Sequence, residues 1–232
     1  MSRLYVIRHG QASFGRSNYD ELSPLGFRQA ALVGQHLAAA GIRLDAAFCG
    51  DQARQRDTAA TALAHLAEPP ALEILPALNE FDSEAIMRAL YPAVQKEDPR
   101  AARAWESMTA DRRAFQLVYE ATMLRWITGR YDLDGAETWG EFVSRLEGAV
   151  TQVRAAHGRG KNVALFTSGG PISAVMRLAL GLGDEAALRL TWVIRNASLS
   201  QFFYDDQRLS LALFNCTAHL ERPGEPELLT YR

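Results

Sequence analysis

Four consecutive β-forming apolar residues at positions 4–7, Leu-Tyr-Val-Ile, limit the folds open to this chain more than any other feature. An uninterrupted apolar run of this length is typical of a strand that is buried on both faces of a parallel sheet. The run stops at Arg8 and His9, and Gly10 follows. Ligands of such sheets bind beyond the carboxyl ends of the strands, so the sequence predicts a binding site at these polar residues.

Short apolar runs alternate with amphipathic segments along the chain, and this pattern predicts an α/β fold. We expect three layers, with a mostly parallel central sheet flanked by helices. Ser23 before Pro24 is typical of a helix start, and Gly41 marks the predicted end of that helix. A strand is expected over residues 46–49, followed by a helix with Asp51 as its cap.

The remaining strands are expected near residues 72–75, 163–166, 199–204 and 209–214, with the last two forming a hairpin. Thr138 and Glu141 form a capping-box pattern, which predicts a long helix to about residue 157. Residues 82–135 interrupt the alternation of short strands and helices, and they carry interleaved aromatic and arginine side chains. We expect a single domain over residues 1–232, with a mostly helical cap inserted at about 82–135.

Composition narrows the range of partners. The chain has 232 residues, 25 Lys and Arg against 27 Asp and Glu, and a formal net charge of −2. This balance gives no reason to expect a nucleic acid or an anionic membrane as partner. No apolar segment approaches the ~20 residues of a membrane span, and the first residues lack a secretory pattern. We therefore expect a cytoplasmic protein with Cys49 and Cys216 as free thiols, and the sequence leaves its oligomeric state open.

Motifs farther along the chain extend the pattern that begins with residues 8–10 (RHG). The segment 22–30 (LSPLGFRQA) opens the first helix, Arg54 and Thr58 lie in the next, and Glu80 follows Leu-Asn. In this order and spacing, the sequence resembles the histidine phosphatase superfamily, also called phosphoglycerate-mutase-like. The resemblance implies the α/β fold expected above and phosphoryl transfer through a phosphohistidine.

The resemblance also implies a role for each of four residues. His9 would be the nucleophile, and Arg8 and Arg54 would hold the phosphate. Glu80 would protonate the leaving oxygen and then activate water. An attacking imidazole must be unprotonated, and nearby arginines favour that form through like-charge repulsion.

The loop after His9 supplies weaker candidates. Gln11 and Ser13 can add neutral hydrogen bonds to a phosphate, or they can simply shape the turn. Gly10 is expected to let a ligand approach the backbone because it has no side chain. The histidines and carboxylates of the chain have no zinc-like spacing, so neither a metal nor a cofactor is expected.

Ser168 stands where the superfamily normally has a second histidine. Residues 167–171 read TSGGP after the predicted fourth strand. The amides of Gly169 and Gly170 at a helix start still predict a phosphate site there. Ser168 keeps a neutral donor but lacks the charge of an imidazole. Loss of one transition-state donor typically lowers the rate by about 10²–10³-fold.

Three interpretations remain open at this point. The first is a phosphatase that needs neither metal nor cofactor and acts on a small phosphomonoester. The second is a catalytically weak or inactive phosphate-binding or interaction domain of the same fold. The third is a phosphoglycerate-mutase-like phosphotransferase. The presence of both His9 and Glu80 favours an enzyme, because simple anion binding needs neither a nucleophile nor an acid.

Overall fold

The computed structural model describes residues 1–13 and 20–231 and contains one six-stranded sheet. The strands are β1 (Ser2–Arg8), β2 (Ala46–Cys49), β3 (Leu72–Ile74), β4 (Asn162–Thr167), β5 (Leu199–Tyr204) and β6 (Leu209–Cys216). Their order across the sheet is β3-β2-β4-β1-β5-β6. The strand predictions are therefore confirmed to within two residues at each end.

The sheet is mostly parallel, as predicted. Strands β3, β2, β4 and β1 run in one direction, and β5 is antiparallel to both of its neighbours. The amide of Asp205 donates to the carbonyl of Arg208 at 3.0 Å, which closes the predicted hairpin between β5 and β6. Strand β1 lies between β4 and β5, so the residues that follow it lie near the middle of the sheet edge.

Eight α-helices accompany the sheet in the described part of the chain. They are α1 (Pro24–Ala39), α2 (Ala53–Leu63), α3 (Ser83–Glu97), α4 (Pro99–Trp105), α5 (Arg112–Trp126), α6 (Trp139–His157), α7 (Gly169–Leu180) and α8 (Asp184–Leu190). Ser23 caps α1 by accepting from the amide of Gly26, and Thr138 with Glu141 forms the predicted capping box of α6. Both cap predictions are confirmed.

The cap predicted for α2 is wrong. The N-cap residue is Gln52 rather than Asp51. Asp51 instead accepts a hydrogen bond from the side chain of Asn79, and its own amide donates to the Asn79 side-chain oxygen at 2.9 Å. This side-chain pair joins the start of α2 to the chain that follows β3.

Hydrophobic side chains pack on both faces of the sheet, which explains the uninterrupted apolar run in β1. Leu4 and Val6 lie in a cluster with residues of α3, α5, α6 and α7. Tyr5 and Ile7 lie in the opposite cluster with residues of α1 and α2. All four side chains are at most 2% exposed. The protein therefore has the three predicted layers, helix, sheet and helix.

Helices α3, α4 and α5 pack against one another within the segment predicted as a cap. Trp126 of α5 is 1% exposed, and its ring centroid lies 4.5 Å from that of Phe81 and 5.1 Å from that of Trp139. Its indole nitrogen donates to the carbonyl of Glu137 at 2.8 Å. The aromatic side chains of this segment thus form core contacts, and Trp126 joins α5 to α6.

Among the described residues, no helix is both long and apolar enough to cross a membrane. Cys49 and Cys216 are free thiols, as expected. Burial raises the pKa of the Cys49 thiol to about 11, so this residue is an inert part of the core at neutral pH.

Candidate active site

The loop that follows β1 places His9 beside the start of α7. Arg8 pairs with Thr167 of β4, and the amide of His9 donates to the Thr167 carbonyl at 2.8 Å. The next residue of the β4 chain, Ser168, is the N-cap of α7. His9 and Ser168 therefore leave adjacent parallel strands at the same edge of the sheet.

The imidazole of His9 has one tautomer that fits its surroundings. Its Nδ1 lies 2.7 Å from the carbonyl oxygen of Gly10, which can only accept, so Nδ1 carries the hydrogen. The lone pair is then on Nε2. Burial, followed by the positive charges of Arg54 and Arg8, holds the pKa of His9 well below 6.5. The imidazole is therefore neutral at pH 7, as a nitrogen nucleophile must be.

Gly10 is required by the packing of this loop on α1. A Cβ at Gly10 would lie 2.4 Å from the carbonyl oxygen of Gly26, and a Cβ at Gly26 would lie 2.2 Å from that of Gln11. The missing Gly10 side chain thus allows close approach to α1, and its expected role toward a ligand stays a prediction. The amide of Gly10 donates to Thr58 Oγ1 at 3.0 Å, which also joins the loop to α2.

Arg54 lies in the first turn of α2 and is 8% exposed. Its Nη1 donates to Asp20 Oδ1 at 2.8 Å, and its Nη2 donates to Gln52 Oε1 at 3.0 Å. The other carboxylate oxygen of Asp20 accepts from the amide of Ala53 at 2.8 Å. Asp20 and Gln52 thus hold the guanidinium in place, and the sequence analysis identified neither of them.

The guanidinium of Arg8 lies against the N-terminus of α7. A Cβ added at Gly169 would lie 3.8 Å from Arg8 Nε, an ordinary contact distance. Arg8 Nη1 also donates to the carbonyl of Ile194 at 2.5 Å. Arg8 and Gly169, both predicted as phosphate-binding residues, therefore lie side by side.

Glu80 contacts the same helix end. Its Oε2 accepts from the amide of Gly170 at 3.0 Å, and its Oε1 lies 3.3 Å from the amide of Phe81. Burial raises the pKa of the carboxyl, although the Gly170 amide and the charges of Arg54 and Arg8 oppose that shift. The Gly170 amide, which was expected to be open to a phosphate, is thus already bound to Glu80.

The segment that carries Glu80 is attached to α6 through Arg145. Arg145 Nη1 donates to the carbonyls of Ala77 and Asn79 at 2.7 and 3.1 Å. Its Nε and Nη2 form a bidentate pair with Glu137 at 2.7 and 2.8 Å. Arg145 therefore fixes the backbone on both sides of Leu78, immediately before the candidate acid.

Ser168 is fully buried and lies against Gln55 of α2. Gln55 Nε2 donates to Ser168 Oγ at 2.8 Å and to Gln52 Oε1 at 3.0 Å. Gln52 Oε1 also accepts from the amide of Glu80 at 3.2 Å. One glutamine oxygen therefore connects Arg54, Gln55 and the Glu80 backbone, a connection that sequence reasoning missed.

Gln11 and Ser13 make hydrogen bonds that shape the loop after β1. Gln11 Oε1 accepts from the Ser23 hydroxyl at 2.9 Å, and the Gln11 amide donates to Gln29 Oε1 at 2.7 Å. Ser13 is buried, and its amide donates to the carbonyl of Glu21 at 2.8 Å. These contacts favour the turn-shaping alternative for Gln11.

His219 lies outside this cluster. Its Nε2 donates to the carbonyl of Ala197 at 2.9 Å, and its ring stacks on that of His36 with centroids 5.4 Å apart. Burial lowers the pKa of His219 to about 4. Within residues 1–13 and 20–231, no group of three or more His, Cys, Asp or Glu side chains is placed to hold a metal ion.

A neutral imidazole, two arginines and a partly buried carboxyl group meet at the carboxyl edge of a mostly parallel sheet. This combination defines an α/β protein with a cluster of ionisable side chains where such folds bind ligands. The model of the histidine phosphatase superfamily (branch 1) matches residues 4–217, and the chain belongs to this superfamily. No curated protein matches the chain.

Several solved structures share the fold. YhfR of Bacillus stearothermophilus is 17% identical over 94% of this chain and 99% of its own, with a TM-score of 0.67. A phosphoglycerate mutase from Bacillus anthracis is 20% identical over 94% of each chain, with a TM-score of 0.63. A mycobacterial glucosyl-3-phosphoglycerate phosphatase in complex with inorganic phosphate is 20% identical over 94% of this chain and 98% of its own, also with a TM-score of 0.63.

Proposed function

We propose that the protein is a phosphatase that hydrolyses a small phosphomonoester through a phosphohistidine at His9. The observation that carries this proposal is the state of the His9 imidazole. Its Nδ1 hydrogen is bound to the Gly10 carbonyl, and burial with two arginines lowers its pKa. A neutral nitrogen lone pair beside fixed positive charge suits attack on phosphorus better than it suits simple anion binding.

In the first step, His9 Nε2 attacks the phosphorus atom of the substrate. The bond from phosphorus to the ester oxygen breaks, and Glu80 donates its proton to the departing oxygen. The raised pKa of Glu80 supports this role because it favours the protonated acid. Arg8 and Arg54 balance the negative charge that spreads over the equatorial oxygens of the phosphoryl group.

In the second step, the Glu80 carboxylate removes a proton from a water molecule as that water attacks the phosphohistidine. The bond from phosphorus to Nε2 breaks, and inorganic phosphate leaves. Nε2 regains its lone pair and Glu80 regains its proton, so the cycle closes without a metal or a cofactor. Ser168 and the Gly169 amide are the proposed neutral donors to the phosphate, with Gln11 and Ser13 as candidates in the loop.

Two alternatives use the same residues. A mutase would return the phosphoryl group from His9 to the organic product instead of to water. A phosphate-binding domain would hold the anion without turnover because Ser168 replaces an imidazole. The presence of both a nucleophile and a proton donor favours an enzyme over the binding domain, and the test below separates the phosphatase from the mutase.

We further propose that residues 82–135 act as a cap on this site within a single domain. Helix α3 begins at Ser83, three residues after Glu80, so the segment leaves the sheet directly at the candidate acid. The free thiols of Cys49 and Cys216 support a reducing compartment such as the cytoplasm. Neither a nucleic acid nor a membrane is a proposed partner.

The test is an assay of purified protein against a panel of phosphomonoesters, with acid-labile phosphohistidine measured in denatured samples. We expect release of inorganic phosphate, loss of turnover and of phosphohistidine in His9→Ala, and no effect of His65→Ala. His65 is an exposed histidine and provides the matched control. Unchanged hydrolysis in His9→Ala would exclude the mechanism. Transfer of phosphate to an added product would instead identify a mutase.

A further inference from the structure

The hydrogen bond between Gln55 and Ser168 has a direction that the charged Arg54 determines. A guanidinium can only donate, so the Gln52 side-chain atom that lies 3.0 Å from Arg54 Nη2 is an oxygen. The same oxygen lies 3.0 Å from the Gln55 side chain, which must therefore present its amide nitrogen. The carbonyl of Leu78, 3.4 Å from that nitrogen, favours the same orientation.

This orientation fixes the role of the serine. The Gln55 amide nitrogen can only donate, so Ser168 Oγ accepts the bond of 2.8 Å. The hydroxyl hydrogen of Ser168 must then point elsewhere. Ser168 is 0% exposed, and no described residue accepts from its hydroxyl group. In the described part of the chain, this hydrogen is therefore left without an acceptor.

Gln55 adopts this orientation at a cost, which distinguishes it from an ordinary core residue. Its Oε1 is buried and has no hydrogen-bond partner in the described part of the chain. That oxygen lies against the backbone of Gly50, where a Cβ would approach it to 1.9 Å. Buried unpaired acceptors are rare in folded proteins, and each calls for an explanation such as strain, a bound water or ion, or a functional role.

We propose that Gln55 is a positioning residue that turns the hydroxyl hydrogen of Ser168 toward a phosphoryl oxygen bound between Arg8 and Arg54. The proposal rests on the proposed function, because it assigns the phosphate to that site. Ser168 precedes Gly169, which lies beside Arg8, and Gln55 follows Arg54 in α2. The relay from Arg54 through Gln52 and Gln55 thus lets a serine act as an oriented donor where an imidazole is absent.

A double-mutant cycle tests this coupling. The variants are Ser168→Ala, Gln55→Met and the double variant, with Gln152→Met on the exposed face of α6 as the matched control. We expect each single variant to weaken inorganic phosphate binding, measured by calorimetry, by about 10-fold, as for a hydrogen bond to a charged group. The double variant should be no weaker than either single variant, because both remove the same bond. Independent losses that multiply to about 100-fold would overturn the proposal.

A second test uses Gln55→Glu, because the glutamate side chain has nearly the same shape as that of glutamine. The introduced carboxylate accepts from Ser168 and turns the hydroxyl hydrogen away from the phosphate. We expect weaker phosphate binding than in Gln55→Met, together with a lower kcat for any hydrolysed ester. If Gln55→Glu and Gln55→Met both bind phosphate as the wild type does, the relay has no role.

The binding measurement separates this proposal from the proposed function. If the wild type binds phosphate without turnover and the cycle is non-additive, the phosphatase assignment fails and the relay stands. If turnover depends on His9 while Gln55→Met matches the wild type in binding and in kcat, the relay fails and the phosphatase stands. Absence of phosphate binding in the wild type would overturn both.

Discussion

The main-chain amide of Gly170 donates to the carboxylate of Glu80 at 3.0 Å, so the first turn of α7 holds the candidate acid. A Cβ at Gly170 would lie 2.1 Å from Glu80 Oε1 and 2.7 Å from Phe81 Cε1. Glycine at this position therefore makes room for the carboxyl group. The positive end of the helix also favours the carboxylate form, against the effect of burial.

Gly170→Ala should therefore displace Glu80 and impair proton transfer. We expect kcat to fall by about 10²-fold, the lower end of a general acid's contribution. Gly148→Ala is the matched control because a Cβ there meets nothing within 4 Å. That change within α6 should leave kcat unaltered and raise the free energy of unfolding by about 0.5–1 kcal/mol. Wild-type kcat in Gly170→Ala would show that the position of Glu80 does not matter.

The pH dependence of kcat/KM should report both ionisable groups. In the proposed mechanism His9 attacks as the neutral base, and its pKa lies well below 6.5, so activity should persist below pH 6.5 before it falls. Glu80 is the proposed acid of the first step, and its raised pKa should set a basic limb above pH 4.5. Glu80→Gln should remove the basic limb. This result would show that the limb comes from Glu80 and not from the second ionisation of the substrate. A basic limb that survives in Glu80→Gln would assign the acid to another group.

Acid should destabilise the fold through His219. Its pKa is about 4 in the folded protein and about 6.5 in an unfolded chain, so the unfolded state binds more protons between these values. Stability is therefore complete above pH 6.5 and decreases by up to about 3 kcal/mol as the pH falls to 4. His219→Gln keeps a donor for the Ala197 carbonyl and should flatten this decrease in urea unfolding series. His65→Gln should leave the decrease unaltered. An equal loss of stability with falling pH in the wild type and both variants would contradict the assignment to His219.

Placing an imidazole at position 168 by Ser168→His should impair the protein when made alone. Ser168 is fully buried with Gln55 at 2.8 Å, so the larger ring would overlap the glutamine. We expect a loss of about 1–3 kcal/mol of stability, as for other overpacked cores, and a lower kcat/KM. Combining it with Gln55→Ala opens space for the ring and should recover both properties in thermal melts and assays. A stable and more active single variant would show that Gln55 moves freely.

Local chemistry explains why some elements were predictable from the sequence. Strand β1 has two buried faces, and an uninterrupted apolar run is the direct consequence. The caps at Ser23 and Thr138 depend only on bonds to residues three positions away. His9, Arg54 and Glu80 were found because each belongs to a short motif, although their proposed roles remain predictions.

Long-range contacts explain what the sequence analysis missed. Gln55 and Ser168 are separated by 113 positions, and only the sheet order brings α2 beside α7. A glutamine in a helix also resembles an ordinary surface residue, so its burial has no local signal. The prediction of Asp51 as a helix cap was wrong for a related reason. Asn79, 28 positions away, binds that carboxylate instead.

The contact between Gly10 and Gly26 sets how closely the loop of the candidate nucleophile approaches α1. Main-chain atoms of the two segments meet there, and the hydrogen bonds of Gln11 with the Ser23 and Gln29 side chains add to the contact. A Cβ at either glycine would meet backbone atoms and push the two segments apart. Positions of α1 that do not contact the loop can therefore change more freely in evolution than Gly26 or Gln29.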